Sequence, residues 1–130
     1  MALVAIKSEE QLDRQALHRA RERLVSDRTR LINQGRGFLM ERGIRIGTGR
    51  HVFQKELARL VVEGAADLSP RMRLLVTDMA SELNVINDRL TAIDAEIKAL
   101  ARTDADMQRL MEIPGIGPTI ATALVAAVGT

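Results

Sequence analysis

From Met72 to Leu100 apolar residues recur four and three positions apart without a miss: Met72, Val76, Met79, Leu83, Ile86, Leu90, Ile93, Ile97 and Leu100. A seam of that period demands a long helix with one continuous apolar stripe, the pattern of helices that pair side by side. Ser69-Pro70 supplies its start, a hydroxyl to cap the first turn followed by a proline whose fixed φ suits the first helical position. Asn84 and Asn87 lie near the seam, where solvent exposure is a simpler expectation than a register-setting polar contact.

A second long helix is predicted upstream. Ser8 with Gln11 forms a capping box, hydroxyl to first-turn amide and amide side chain back to the serine N–H. Leu17, Leu24, Leu31 and Phe38 then recur every seven residues, with His18, Val25, Ile32 and Leu39 beside them, so the helix runs to about Arg42. Its weak point is Gly35-Arg36-Gly37, because each glycine costs roughly 1 kcal/mol against alanine in a helix interior. A bend or a close helix approach is expected there. Gly43, Gly47 and Gly49 mark a loop, and a shorter helix follows over 50–63, with Val52, Phe53, Leu57, Leu60 and Val61 on one side and Gly64 as its stop. Thr103 with Asp106 is expected to cap a short helix from Asp106 to Glu112, and Pro118 to open a last one through Val128. The expected fold is all-α: a long antiparallel helical hairpin or coiled coil over 1–102, with a short middle helix, and a helix-hairpin-helix over 103–130.

The composition supports this and removes whole classes of chemistry. Two phenylalanines are the sole aromatic residues, which suits helix packing better than a sheet, and the absence of cysteine excludes disulfides, Cys-based metal sites and a thiol nucleophile. The longest apolar run, Ile120 to Val128, is far short of the roughly 20 residues of a membrane helix. Met1 to Ile6 is too short for a signal peptide, so a cytoplasmic protein without a membrane partner is expected. The net charge is +2, unevenly placed: residues 1–59 carry 13 Lys/Arg against 7 Asp/Glu, and residues 60–130 carry 6 against 10. A basic half invites a polyanion; a solvated helix face is the plainer alternative.

Two features point to nucleic acid. In Leu110 to Ala121 the sequence Ile113-Pro114-Gly115-Ile116-Gly117-Pro118 has the form of a helix-hairpin-helix turn. There Gly115 and Gly117 allow close approach, Ile116 plugs the space between the helices, and Thr119 with nearby amides meets a phosphate oxygen. No Lys or Arg follows the turn, so a plain chain reversal stays open beside phosphate contact. The other feature is the arginine-rich first helix, where Arg21, Arg28 and Arg36 are the candidates to track a phosphate backbone. Ion pairs with Glu22, Asp27 or Glu41 are the competing use of such arginines. No catalytic set is visible: His18 and His51 are isolated, and Asp104 and Asp106 are explained as first-turn carboxylates.

Lys7-Ser8-Glu9-Glu10-Gln11, Arg21-Glu22-Arg23-Leu24-Val25, Arg28-Thr29, Leu31-Ile32-Asn33-Gln34, Arg36-Gly37 and Gly43-Ile44 resemble the helical connector of the IS one-ten (DEDD) insertion-sequence transposases. The run Ile113 to Pro118, with Ala121-Thr122-Ala123-Leu124-Val125-Ala126-Ala127-Val128-Gly129, resembles the opening of their C-terminal domain. Gly35 departs from the large apolar residue expected at its place. The resemblance implies a parent recombinase that moves DNA, acts with a structured RNA, and holds a divalent metal in a RuvC-like domain upstream. Neither its acidic residues nor its catalytic serine maps onto this sequence, so the chain itself is expected to hold no cofactor and to be inactive alone. An apolar last helix that has met no partner suggests that the natural protein continues. Met79, Leu83, Ile86, Leu90, Ile93 and Ile97 are expected to pair with a second copy, giving a homodimer, and a coiled-coil adaptor without nucleic acid is the rival reading.

Overall fold

A computed structural model describes residues 8–65 and 68–128. They form five helices, α1 Glu9–Met40, α2 Arg50–Glu63, α3 Pro70–Thr103, α4 Ala105–Met111 and α5 Pro118–Val128, with no strand among the described residues. The fold is all-α. Two compact units divide it: residues to Arg23 with those from Arg89 onward, and Leu24–Asp88. α4 and α5 group with the start of α1 and the end of α3.

The caps explain where the helices begin and end. At α1 the Ser8 N–H donates to Gln11 Oε1 at 2.8 Å and the Gln11 N–H donates to Ser8 Oγ at 3.2 Å, the reciprocal box that the sequence predicts. At the other end the Gly43 N–H bonds the Met40 carbonyl and the Ile44 N–H bonds the Leu39 carbonyl, with Gly43 at φ 78. This is a Schellman closure, and it consumes two carbonyls that a helix end leaves free. The Met72 N–H donates to Ser69 Oγ at 3.2 Å, and Pro70 opens α3. One expected cap is corrected. Thr103 still lies in α3, its hydroxyl bonded back to the Ala99 and Leu100 carbonyls, and Asp104 is the residue that caps α4. Its backbone is extended and its Oδ1 accepts from the Asp106 and Met107 N–H groups, so one carboxylate satisfies two orphan amides.

In the Leu24–Asp88 unit the core is built by Leu24, Leu31, Ile32 and Leu39 of α1, Phe53, Leu57 and Leu60 of α2, and Met72, Val76, Met79, Leu83 and Ile86 of α3. Gly35 is the point of closest approach: a Cβ placed on it would stand 2.6 Å from Phe53 Cζ and 2.8 Å from Met79 Cε. The large side chain expected at this turn is absent because the Phe53 ring, fully buried, occupies that space from α2. Arg28 Nη1 donates to Asn87 Oδ1 at 3.1 Å. With Arg28 opposite Asn87 and the later Gly35 opposite the earlier Met79, α1 and α3 run antiparallel here.

In the other unit Arg21 pairs with Asp94 at 2.7 Å and Arg14 with Asp104 at 3.4 Å, again antiparallel. Ala101, Met107, Ala121 and Val125 form its α3–α5 core, with Leu100, Leu110, Met111 and Ile116 packed against them. Thr122 is fully buried there, its hydroxyl donating to the Pro118 carbonyl at 2.7 Å.

Gly35→Leu should lower the unfolding free energy by about 1–3 kcal/mol or more, the usual cost of overpacking a filled core. Urea denaturation followed by circular dichroism checks this. In a Gly35→Ala background, Phe53→Leu should cost less than it does in the parent chain, because the two changes relieve each other.

Candidate nucleic-acid interface

The three arginines expected to follow a phosphate backbone are committed to the chain itself. Arg21 Nε donates to Asp94 Oδ1, and Arg28 Nη1 to Asn87 Oδ1. Arg36 does most. Its Nη1 donates to the Ile46 and Gly47 carbonyls at 3.0 and 2.8 Å, and its Nη2 to the Gly49 carbonyl at 2.8 Å. Its guanidinium carbon also lies 5.3 Å from the Phe53 ring centroid, within cation–π range. A planar fork of five fixed donors is what such an arrangement needs, since a loop without regular structure leaves its carbonyls unpaired. Arg36 therefore shapes the α1–α2 loop from inside.

The end of α1, that loop and the start of α2 together hold a run of positive charge which helix-by-helix reading misses. Between Arg28 and Lys55 the chain holds Arg28, Arg30, Arg36, Arg42, Arg45, Arg50 and Lys55 against a single acid, Glu41. Arg42 Nη1 bonds the Phe38 carbonyl at the end of α1, and Arg30 pairs with Asp27. Arg45 is exposed and, among the described residues, its guanidinium has no ion-pair or hydrogen-bond partner. Two clefts open on this part of the unit, the first of them beside Arg45. One, of about 260 Å³, is lined by Arg36, Met40, Ile44, Arg45 and Ile46. The other, of about 350 Å³, is lined by Arg28, Thr29, Ile32, Asn33, Arg36, Gly49 and Arg50. Arg50 opens α2, whose N-cap is Gly49 with no side-chain cap and no acid in the first turn, so nothing offsets the positive helix end. A running count of charge over 28–55 is the sequence signal that marks this face.

The hairpin has the expected form. Gly115 takes φ 87, Ile116 is half-buried against the α4–α5 core, and Pro118 starts α5. Gly117 has no positive φ and Thr119 is half-buried at the first turn of α5. Ile113, Ile120 and Leu124 stay exposed, at 50, 48 and 41%.

The six residues expected to pair with a second copy lie largely inside this chain. Met79, Leu83, Ile86, Leu90 and Ile97 are buried and Ile93 is half-buried within the single chain. Most of their apolar area is removed from water by contacts within the chain. Among the described residues no group of three or more His, Asp or Glu is placed to hold a metal ion. His18 Nε2 is buried without a hydrogen-bond partner, and burial, helped by the charge of Arg21, pulls the His18 pKa below its ordinary value against the opposing pull of Glu22.

Over 129 residues, 99% of the chain, the sequence is 38% identical to the transposase for insertion sequence element IS1111A of Coxiella burnetii. The chain resembles part of a transposase. A probable family 20 transposase of Pseudomonas aeruginosa is 38% identical over 131 residues, and the transposase for insertion sequence element IS1328 of Yersinia enterocolitica is 34% identical over 129 residues, each across 99% of this chain. The chain spans 35% of the Coxiella transposase and 38% of each of the other two. No protein-family model matches, and no solved structure is significantly similar.

Arg36→Ala should destabilise the Leu24–Asp88 unit by about 1–3 kcal/mol, the range for hydrogen bonds to a charged group. Arg36→Lys should recover little of it, because an ammonium lacks the planar fork; hydrogen exchange of the 41–50 amides and urea midpoints report both. His18 gives a pH signature. With its folded pKa depressed, the unfolded chain binds more protons once pH falls below the ordinary histidine value of about 6.5. Stability is thus full above that value and falls as pH drops towards the folded pKa. Urea midpoints at pH 7.5 and 5.5 should show the loss, and His18→Gln should reduce it.

Proposed function

We propose that this chain is a segment of an insertion-sequence transposase of the IS one-ten type, and that it serves DNA transposition by gripping nucleic acid through the phosphate backbone. The contact surface is the basic α1–α2 turn, with Arg45 as its outward cation, the half-buried Arg50 beside it with Nη2 3.4 Å from His51 Nε2, and Arg36 as the residue that holds the loop in shape. One observation carries this reading: seven basic residues against one acid between Arg28 and Lys55, spread over the end of α1, a loop braced from within by Arg36, and the uncapped start of α2. Similarity to three named transposases supports the setting. The partners in this reading are DNA and structured RNA in the bacterial cytoplasm, with Gly115, Ile116, Gly117 and Thr119 of the hairpin as a subsidiary phosphate contact. Bond breaking, and any divalent metal for it, belongs to other parts of the parent.

Binding to structured RNA or duplex DNA should weaken steeply with salt, roughly 0.9 of a log unit per log unit of salt for each phosphate neutralised on a duplex. Arg45→Ala and Arg50→Ala should each flatten that slope by about one unit without changing sequence preference, because phosphate contacts position a protein and do not specify a sequence. A chain that binds neither nucleic acid at low salt, or binds without salt dependence, overturns the proposal and leaves the helical adaptor.

A further inference from the structure

The geometry points to a site for an unpaired nucleotide in the cleft of Met40, Ile44, Arg45 and Ile46: the base lies on the apolar floor, and its phosphate pairs with Arg45. This deepens the nucleic-acid reading above and rests on it. The cleft combines two features that a duplex cannot use together. Its floor is aliphatic, with Met40 58% exposed and both isoleucines half-buried, and its rim carries an exposed guanidinium with no partner among the described residues. A duplex offers phosphates and hides its base faces in the stack. An unpaired nucleotide offers an apolar face and a phosphate side by side.

The walls are also set in advance. The Ile44 N–H is tied to the Leu39 carbonyl at 2.9 Å, and the Ile46 and Gly47 carbonyls to Arg36. The cleft keeps its form without an occupant, so little ordering cost falls on binding. At about 260 Å³ it lies below the roughly 300–1,000 Å³ of ordinary small-molecule pockets, which fits one base better than a whole cofactor. The neighbouring cleft shares Arg36 and brings Asn33, Thr29 and Arg50, polar groups suited to the next phosphate and sugar. A strand entering at Arg45 would pass Arg36, the one residue the two clefts share, towards Arg50 at the start of α2. A purely acidic peptide would satisfy the cations but would leave the exposed aliphatic floor in water.

The test compares a fluorescein-labelled oligo-dT or oligo-U 12-mer with a blunt duplex of equal length on the whole 130-residue chain. The unpaired strands should bind about fivefold or more tighter, the gain expected when one base face takes the exposed aliphatic floor out of water. Met40→Ser, at an exposed position that the fold tolerates, should erase most of that preference with the salt slope unchanged, and Met40→Trp should increase it. Arg45→Ala should lower the slope for single strand and duplex alike. Equal affinity for the two forms, or a folded Met40→Ser chain that keeps the preference, overturns the site while leaving general phosphate binding in place. Loss of all binding in the parent chain overturns the nucleic-acid reading itself. Displacement of the 12-mer by polyglutamate at equal charge concentration overturns the nucleotide in favour of an acidic protein.

Discussion

The Leu24–Asp88 unit closes on the ring of Phe53. The side chain comes from α2, fills the hollow left by Gly35 on α1, and lies under the Arg36 guanidinium, with Met79 of α3 at the same hollow. Aromatic rings bring a large apolar area to a core, and this one also offers its π-face to a cation. Three helices and the α1–α2 loop thus depend on one contact. Without the missing Cβ at Gly35 the ring would have no place, and without the ring the guanidinium that orders the loop would lose its support.

The arginines divide by what their donors meet. Arg21 and Arg28 fasten α1 to α3 side chains, Arg36 takes up loop carbonyls, and Arg45 faces solvent. Guanidinium suits the internal tasks because it is weakly hydrated for a cation and carries its donors in a rigid plane. A chain rich in arginine is therefore not by that fact rich in free positive charge. The charge available to a partner comes from the residues that the fold leaves over: Arg45 at the α1–α2 turn, and exposed cations such as Arg19, Arg71, Arg73 and Arg89 along the long helices.

Much of the helical framework is legible in the sequence because its signals are local. Ser8 with Gln11, Ser69-Pro70, Gly43 and Gly64 mark ends through bonds spanning a few residues, and the four-three period of α3 locates its buried side. Thr103 misleads for the same reason: its hydroxyl and the Asp104 carboxylate compete as adjacent caps, and only the backbone conformation decides between them. The seam shows that a side is buried and not what buries it, so pairing within one chain and pairing between copies look alike. The site is less legible. Arg36 and Phe53 are 17 positions apart with no periodic relation, and the clefts arise only once the loop has folded back on its own arginine.

The pairings of Arg28 with Asn87 and of Gly35 with Met79 constrain how such a segment can change length. A single residue inserted between them in α1 would turn everything beyond it by about 100° at 3.6 residues per turn, carrying Gly35 away from the ring that needs it. A compensating residue in α3 would restore the distance along the axis but turn the opposite face as well. Whole heptads added to both helices keep both faces in place to within about 20°. Length variation among related chains should accordingly gather in the loops, or come in matched sevens, while substitution along the outer faces runs freely.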